Sequence, residues 1–265
     1  MLEPELIEQI QNANADGKYI LLCQRLKSLR FVKDCSEENR ETRLKGKPKS
    51  LIGKIYNDFK AQYSPFGNLV KAFKVPTDWP VVAMIDWHPA ERQAIGFMAV
   101  DQLNRDYTVD EVWEHLGNEE IADEVIRRKQ AGMRISKAYI DKLSKGDTKG
   151  NRNRWGNENS SFMIIEKRLR KHGIVLHEQS RARDSGVKII KSKLSQPNKI
   201  PCFFVFDTCK RHQFEVKRYI YTDGKYPDTD DHFMQNWYAY AMVGLKYTPV
   251  VNAKAKYETA VAGIA

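Results

Sequence analysis

A run of five apolar residues that ends in a carboxylate is the feature that most constrains this fold. Residues 81–85 are long enough for one buried strand, and Asp86 follows them directly. The pair His88-Pro89 then ends the strand, because proline has no backbone N–H to donate to a neighbouring strand. The sequence therefore predicts that a buried strand places Asp86 at an edge of a sheet. The plainer alternative is that Asp86 only caps the strand end or binds a turn amide.

Further strands are predicted along the chain. Residues 92–100 and 107–113 have strand-like composition and are separated by a polar turn, so they should form an antiparallel meander with the Asp86 strand. Residues 134–141 also alternate, and they end in Asp141. Residues 213–221 alternate apolar and polar side chains and predict one more strand.

Helical spacing occurs between these strands. It is found at residues 119–129, 160–172 and 187–194, and again after the capping sequence Thr229-Asp230-Asp231-His232 as far as about Val243. Alternation of strands and helices is typical of an α/β domain. Residues 142–159 show no periodicity and predict a loop.

The carboxylates that follow the predicted strands point to a metal site. Asp86 and Asp141 each end a strand, and Asp230 and Asp231 open the last helix. Parallel neighbours present their carboxyl ends at the same edge of a sheet, so Asp86 and Asp141 meet there if their strands are adjacent. Oxygen ligands without a matching Cys or His set favour Mg²⁺ or Mn²⁺ over zinc. Such a cluster is costly unless a cation neutralises it.

The positive charge of the chain is concentrated in one segment. Between Arg134 and Lys193 there are 16 Lys or Arg and 6 Asp or Glu, an excess of 10 that equals the net charge of the whole chain. Aromatic residues are interleaved with these basic residues. Such a block is typical of a surface that binds phosphate backbones, although a solvated basic face is the simpler alternative.

Other site classes are not supported by the sequence. The stretch from Gly46 to Ile55 fails as a phosphate loop, because six residues separate its glycines and Ile55 stands where Ser or Thr is needed. Four cysteines show no paired CxxC spacing. No apolar run reaches membrane length, so no membrane partner is expected.

Several short motifs follow one another in a defined order over about residues 40 to 245. They are Glu41-Thr42-Arg43-Leu44-Lys45-Gly46, Gly53-Lys54-Ile55-Tyr56-Asn57-Asp58-Phe59, Val109-Asp110-Glu111-Val112-Trp113, Tyr139-Ile140-Asp141, Lys171-His172-Gly173-Ile174, Ser185-Gly186-Val187, Phe206-Asp207-Thr208-Cys209 and Phe214-Glu215-Val216. The strongest is Asp230-Asp231-His232 at the start of the last helix. In order and spacing these motifs resemble the C-terminal nuclease domain of the large terminase subunit of tailed bacteriophages.

The resemblance implies an RNase H-like (RuvC-type) α/β fold with a mixed central sheet, an antiparallel meander in its first three strands and helices on both faces. It implies a metal-dependent endonuclease that cuts double-stranded DNA with little sequence preference during phage genome packaging. By resemblance, Asp86, Asp141 and Asp231 are catalytic, and these three with Asp230 bind two Mg²⁺ or Mn²⁺ ions. The family often has a further Asp where this chain has Gln235, so the acting acid of the last helix stays open.

The resemblance also implies partners, a location and domain bounds. The partners are double-stranded DNA, the terminase ATPase part, the small terminase subunit and the portal protein. The location is the bacterial host cytoplasm and, transiently, the procapsid. We expect a helical lead-in or linker at residues 1–50, the nuclease domain at 51–248 and a C-terminal tail at 249–265.

Six further residues are candidates for supporting roles. Arg152 and Arg154 in the predicted loop, and Lys188 and Lys191 on the predicted basic helix, are expected to contact phosphates without reading bases. His88 and His232 adjoin the proposed ligands and either orient water or phosphate or serve in a turn and a cap.

Two other functions remain compatible with the sequence. One is a different RNase H-like nuclease, such as a junction resolvase. The other is a non-catalytic module that binds DNA or docks a motor, in which the acids only cap helices. A third reading is that the chain is a piece of a longer ATP-driven motor, because the family that it resembles normally carries an N-terminal ATPase.

Overall fold

The computed structural model describes residues 53–141, 160–194, 201–222 and 224–249. The predicted lead-in at residues 1–50, the loop that contains Arg152 and Arg154, and residues 250–265 lie outside these ranges. The described strands are β1 (Gly53–Lys54), β2 (Leu69–Val70), β3 (Pro80–Asp86), β4 (Gln93–Val100), β5 (Asp106–Glu114), β6 (Arg134–Ile140), β7 (Val175–Glu178), β8 (Phe203–Phe206) and β9 (Ile220–Tyr221). The described helices are α1 (Asn118–Gln130), α2 (Ser161–Arg170), α3 (Arg183–Leu194), α4 (Lys210–Arg218) and α5 (His232–Val243).

Seven of the strands form one mixed sheet with the order β2-β8-β5-β4-β3-β6-β7. β4 runs antiparallel to β3 and to β5, and every other neighbouring pair in this sheet is parallel. The predicted antiparallel meander of β3, β4 and β5 is therefore confirmed. β1 and β9 pair separately as a short antiparallel ribbon.

Helices cover both faces of this sheet. Successive residues of a strand point to opposite faces. A Cβ at Gly96 on β4 would lie 3.8 Å from the amide nitrogen of Asn236 on α5, while the next side chain, Phe97, lies under the guanidinium of Arg128 on α1. Because both faces are covered, all residues of β3 and β4 are buried, and their sequences are continuous apolar runs rather than alternating ones. Within the described ranges, no helix is long and apolar enough to cross a membrane.

The central pair β3 and β6 fixes where the acids lie. These strands are parallel, and Ile85 is the register partner of Ile140. Asp86 and Asp141 each follow these partners by one residue. The sequence predicted that Asp86 and Asp141 would meet if their strands were adjacent, and the two strands are adjacent.

The predicted strand at residues 213–221 is wrong for most of its length. The segment forms helix α4, Lys210–Arg218, and only Ile220–Tyr221 is a strand. The buried side of α4 contains His212, Gln213, Glu215 and Val216, which are mostly polar. A search for apolar periodicity does not detect a helix whose buried side is polar. The alternation of the apolar residues Phe214 and Val216 therefore predicted a strand instead.

α3 packs closely on α5 through a glycine. A Cβ at Gly186 would lie 2.2 Å from the carbonyl oxygen of Tyr238, closer than real Cβ contacts. That oxygen belongs to the backbone of α5, so it cannot turn away as a side chain would. Gly186 therefore sets the distance between the two helices that carry Arg183 and Asp231.

We expect Gly186→Ala to lower the free energy of unfolding by about 1–3 kcal/mol, because the added methyl must push the two helices apart. The measurement is urea denaturation followed by circular dichroism. Gly53→Ala is the matched control, since a Cβ there meets nothing within 4 Å. Equal stability of the two variants would show that the helices are not in close contact.

Candidate functional site

Asp86 and Asp141 lie side by side at the carboxyl ends of β3 and β6. The backbone N–H of Asp141 donates to the carbonyl of Ile85 at 3.2 Å, which ties the two strand ends together. Asp86 is buried, with 7% of its surface exposed. Burial raises the pKa of Asp86, and the negative charge of Asp141 raises it further, while a hydrogen bond with His232 opposes both effects.

The first turn of α5 brings a third acid to this edge. Asp231 occupies the N-cap position of α5 and is 3% exposed. The next residue, His232, places Nδ1 2.7 Å from Oδ2 of Asp86. Burial raises the pKa of Asp231, the charge of Asp86 adds to this rise, and Arg183 and Gln235 offset part of it. The side chains of β3, β6 and α5 therefore converge on one edge of the sheet.

His232 links the helix to the strand. Burial alone would lower the pKa of His232, but the hydrogen bond to Asp86 and the nearby acids raise it above the ordinary value. Its ring also packs against the ring of Trp113, with centroids 4.9 Å apart. The geometry gives His232 the role of a partner to Asp86 as well as a helix-start residue.

Asp230 faces a different neighbour from Asp231. Asp230 has a positive φ of 53°, is roughly half exposed and forms an ion pair with Arg211 of α4. Of the two adjacent acids, Asp231 is therefore the one buried beside Asp86.

Two arginines that the sequence analysis did not single out contact the acids. Arg181 Nη2 donates to Asp141 Oδ1 at 2.9 Å. Arg183 Nη2 lies 3.7 Å from Asp231 Oδ2, which is an ion-pair distance without a hydrogen bond. Both arginines belong to the basic segment of the sequence. They can be assigned to the acids only once β7 is known to pair in parallel with β6, because this pairing places the residues after β7 next to Asp141.

A partly buried polar network holds the strand ends and α5 together. Gln179 Nε2 donates to the carbonyl of Ile85 at 3.0 Å and to Oδ1 of Asn236 at 3.1 Å. Asn236, fully buried in α5, donates in turn to the carbonyl of Ala94 on β4 at 3.0 Å. This network was not predicted from the sequence, although a polar residue in the middle of an aromatic helix is a signal that could have indicated it.

A second network fixes the starts of α4 and α5. Glu111 of β5 accepts from the backbone N–H groups of Arg211 and His212 at 2.7 and 2.8 Å. Glu215, fully buried, accepts from the N–H of Phe233 at 2.7 Å and from Nε of Arg211 at 2.9 Å. These carboxylates satisfy N–H groups that have no partner inside their helices. Glu215 therefore holds the first turn of α5, which carries Asp231.

The donor set suits a hard divalent cation, although the side chains are tied to other groups. Oxygen ligands from three carboxylates are typical of Mg²⁺ or Mn²⁺ sites. Oδ2 of Asp231 is buried without a hydrogen-bond partner, which is the kind of oxygen that a cation satisfies. Among the described residues, no group of three or more His, Cys, Asp and Glu side chains is already gathered closely enough to hold a metal ion. A bound cation would have to displace Arg181 from Asp141, whereas Arg183 makes no hydrogen bond to Asp231 that a cation must break.

The remaining predicted site residues lie in three settings. Nδ1 of His88 accepts from the backbone N–H groups of Ala90 and Glu91, so His88 has a turn role. Lys188 is exposed on α3, and Lys191 is half-buried on the same helix. Arg152 and Arg154 lie outside the described residues.

Solved structures share this fold, whereas no family model and no curated protein sequence matches the chain. The large terminase of a thermophilic bacteriophage superposes in its ADP complex with a TM-score of 0.57, at 14% identity over 85% of this chain and 53% of that one. Another crystal form of that terminase gives 0.53, at 12% identity over 79% and 52%. The P22 large terminase nuclease domain gives 0.50, at 15% identity over 72% of this chain and 93% of that one.

These similarities establish the fold. The described domain has the RNase H-like fold of the terminase nuclease, as the motifs predicted. The chain spans about half the length of the thermophilic-phage large terminases that it matches.

Glu215 should make stability depend on pH. Burial raises its pKa from 4.5 to about 7, so the folded protein binds this proton more tightly than the unfolded chain does. The stabilisation is complete below pH 4.5 and is lost as the pH rises to about 7. Relative to Glu215→Gln, the wild type should therefore lose on the order of 1–3 kcal/mol of unfolding free energy across that window.

The measurement is urea denaturation of both proteins in EDTA at several pH values. The Gln variant keeps an acceptor for the Phe233 N–H but does not titrate. A constant difference between wild type and variant from pH 4.5 to about 7.5 would mean that Glu215 keeps its ordinary pKa.

Proposed function

We propose that this chain is a divalent-metal-dependent endonuclease that cleaves double-stranded DNA with little sequence preference. The observation that carries the proposal is the convergence of Asp86, Asp141 and Asp231 at one edge of an RNase H-like sheet. Residues 55 and 90 positions away from Asp141 in sequence lie at this edge with it. A structural cap would explain one acid, but it does not explain three acids at the same edge, two of which, Asp86 and Asp231, are buried.

Asp86, Asp141 and Asp231 are the residues that would hold Mg²⁺ or Mn²⁺. Such an ion supplies a nucleophilic water near neutral pH and stabilises the leaving oxygen of the phosphodiester. The chain itself contributes orientation: His232 fixes Asp86, and Gln179 holds the ends of β3 and β6. Asp230, paired with Arg211, stands apart from this set.

The DNA contact that we propose is the basic face of α3. This helix begins at Arg183, beside Asp231, and carries Lys188 and Lys191 farther along. A row of basic residues leading away from the acids can follow a phosphate backbone past the point of cleavage. Such contacts do not read base edges, which is consistent with low sequence preference. Arg152 and Arg154, which lie outside the described residues, are proposed as further phosphate contacts.

The biological setting is proposed from the fold. The solved structures with this fold are phage large terminases. We propose that the nuclease acts in phage genome packaging, with the terminase ATPase part, the small terminase subunit and the portal protein as partners. Its location would be the bacterial host cytoplasm and, transiently, the procapsid.

Asp86→Asn and Asp141→Asn should each lower nicking of supercoiled plasmid in Mn²⁺ by about 100-fold or more, because each removes a ligand charge from the site. Agarose gels that separate supercoiled from open circles measure the rate. Asp123→Asn is the matched control, since Asp123 lies on the surface of α1 and pairs there with Arg168 of α2. Wild-type rates in either site variant, with an intact fold, would refute the proposed enzyme.

Neutralising Lys188 and Lys191 together should weaken DNA binding and reduce the slope of log affinity against log salt by about 2, because two phosphate contacts are lost. Fluorescence anisotropy with a labelled duplex at several salt concentrations measures the slope. Lys60→Gln with Lys74→Gln removes the same charge from exposed positions outside the basic segment. Equal slopes for both double variants would exclude the α3 face.

A further inference from the structure

The arginine beside Asp231 is held in place by aromatic rings. The guanidinium carbon of Arg183 lies 5.2 Å from the ring centroid of Tyr226 and 5.4 Å from that of Tyr238. Its side chain is 28% exposed. A guanidinium between two rings is attracted by both and loses that attraction if it swings out. Arg183 is thus a fixed positive charge of the site.

Arg181 provides a second positive charge of a different kind. Its side chain is 56% exposed and contacts Asp141 alone among the three acids. An exposed ion pair contributes little, about 1 kcal/mol or less, so a cation can displace it. The two arginines therefore differ. Arg181 can release Asp141 to a cation, whereas Arg183 is held in place by Tyr226 and Tyr238.

The charge at this edge suits one divalent cation better than two. Asp86, Asp141 and Asp231 contribute three negative charges, and Arg181 and Arg183 contribute two positive charges. The remaining single negative charge is overcompensated by one divalent ion, and two such ions would leave a large positive excess. The charge of a protonated His232 would be balanced by Glu91, whose Oε2 lies 3.8 Å from Nε2 of His232.

Within the part of the chain that the structure describes, two further neighbours of Asp231 add no free negative charge for a second ion. Asp230 is paired with Arg211. Gln235, one turn after Asp231, is a neutral amide, and its Nε2 lies 3.5 Å from Oδ1 of Asp231.

We propose that this site binds one divalent cation at Asp86 and Asp141, and that Arg183 supplies beside Asp231 the positive charge that a second ion would supply. The inference rests on the proposed function and replaces the two-ion expectation for this chain. In this scheme Asp231 lies on one side of the single ion, and Arg183 balances the negative charge of Asp231. Arg183 is a positioning residue in this scheme, since it acts through Asp231.

Calorimetric titration of the full chain with Mn²⁺ tests the number of ions. The wild type should bind one ion at this site, and Asp86→Asn should remove it. Two site-dependent ions in the wild type would overturn the inference and leave the proposed nuclease intact. No site-dependent ion would contradict the metal dependence of the proposed function, and the inference would fall with it.

Arg183→Met tests whether the arginine is the reason for a single ion. Methionine keeps an apolar stem between Tyr226 and Tyr238 but removes the charge, so the variant should bind a second Mn²⁺ ion. Electron paramagnetic resonance should then show the coupling of two neighbouring Mn²⁺ ions, a signal that the wild type lacks. Arg168→Met, which removes an arginine paired with Asp123 elsewhere, should behave as the wild type does. A single uncoupled ion in a folded Arg183→Met variant would overturn the role of Arg183.

Arg181→Gln keeps the proposal testable if Arg183→Met does not fold. Loss of this exposed competitor should tighten binding of the first Mn²⁺ ion about two- to fivefold without changing the number of ions. Unchanged affinity would show that Arg181 does not compete with the cation, and it would overturn the charge balance on which the proposal depends.

Discussion

The parallel pairing of β3 with β6 is the constraint on which the rest of this structure depends. It aligns Ile85 with Ile140, and the two residues that follow are both aspartates. Like charges at neighbouring strand ends repel each other, and burial of Asp86 increases the free energy of its charged form. The fold therefore needs positive charge at this edge. The neighbouring elements provide this positive charge.

The positive charge comes from two separate parts of the chain. α5 contributes His232 to Asp86, and the end of the connection from β7 together with the first residue of α3 contributes Arg181 and Arg183. Glu111, which is half-buried, and Glu215, which is fully buried, accept hydrogen bonds from the first backbone N–H groups of α4 and α5 and so hold the starts of these helices. Charge compensation and helix capping are thus parts of one arrangement. Glu215 is a buried carboxylate with a raised pKa, and its hydrogen bonds to the Phe233 N–H and to Arg211 explain why the fold keeps it at this position.

The sequence predicted the elements whose pattern is hydrophobic and missed those whose pattern is polar. The β3 run, the meander and the acids at the strand ends follow from apolar periodicity, and the structure confirms where they lie. Helix α4 was mistaken for a strand because His212 and Glu215 occupy its buried side. Arg181 and Arg183 could not be assigned to the acids, because that assignment requires knowing that β7 lies next to β6. Tertiary neighbours, rather than local pattern, decide such contacts.

The most direct test of the central claim is a crystal structure of the protein with Mn²⁺, examined by anomalous scattering. The account predicts an anomalous peak at the carboxyl ends of β3 and β6, within about 2.5 Å of an oxygen of Asp86 and an oxygen of Asp141. It also predicts that Arg183 still lies between Tyr226 and Tyr238. Ordered Asp86 and Asp141 side chains with no peak between them, at saturating Mn²⁺, would contradict the account.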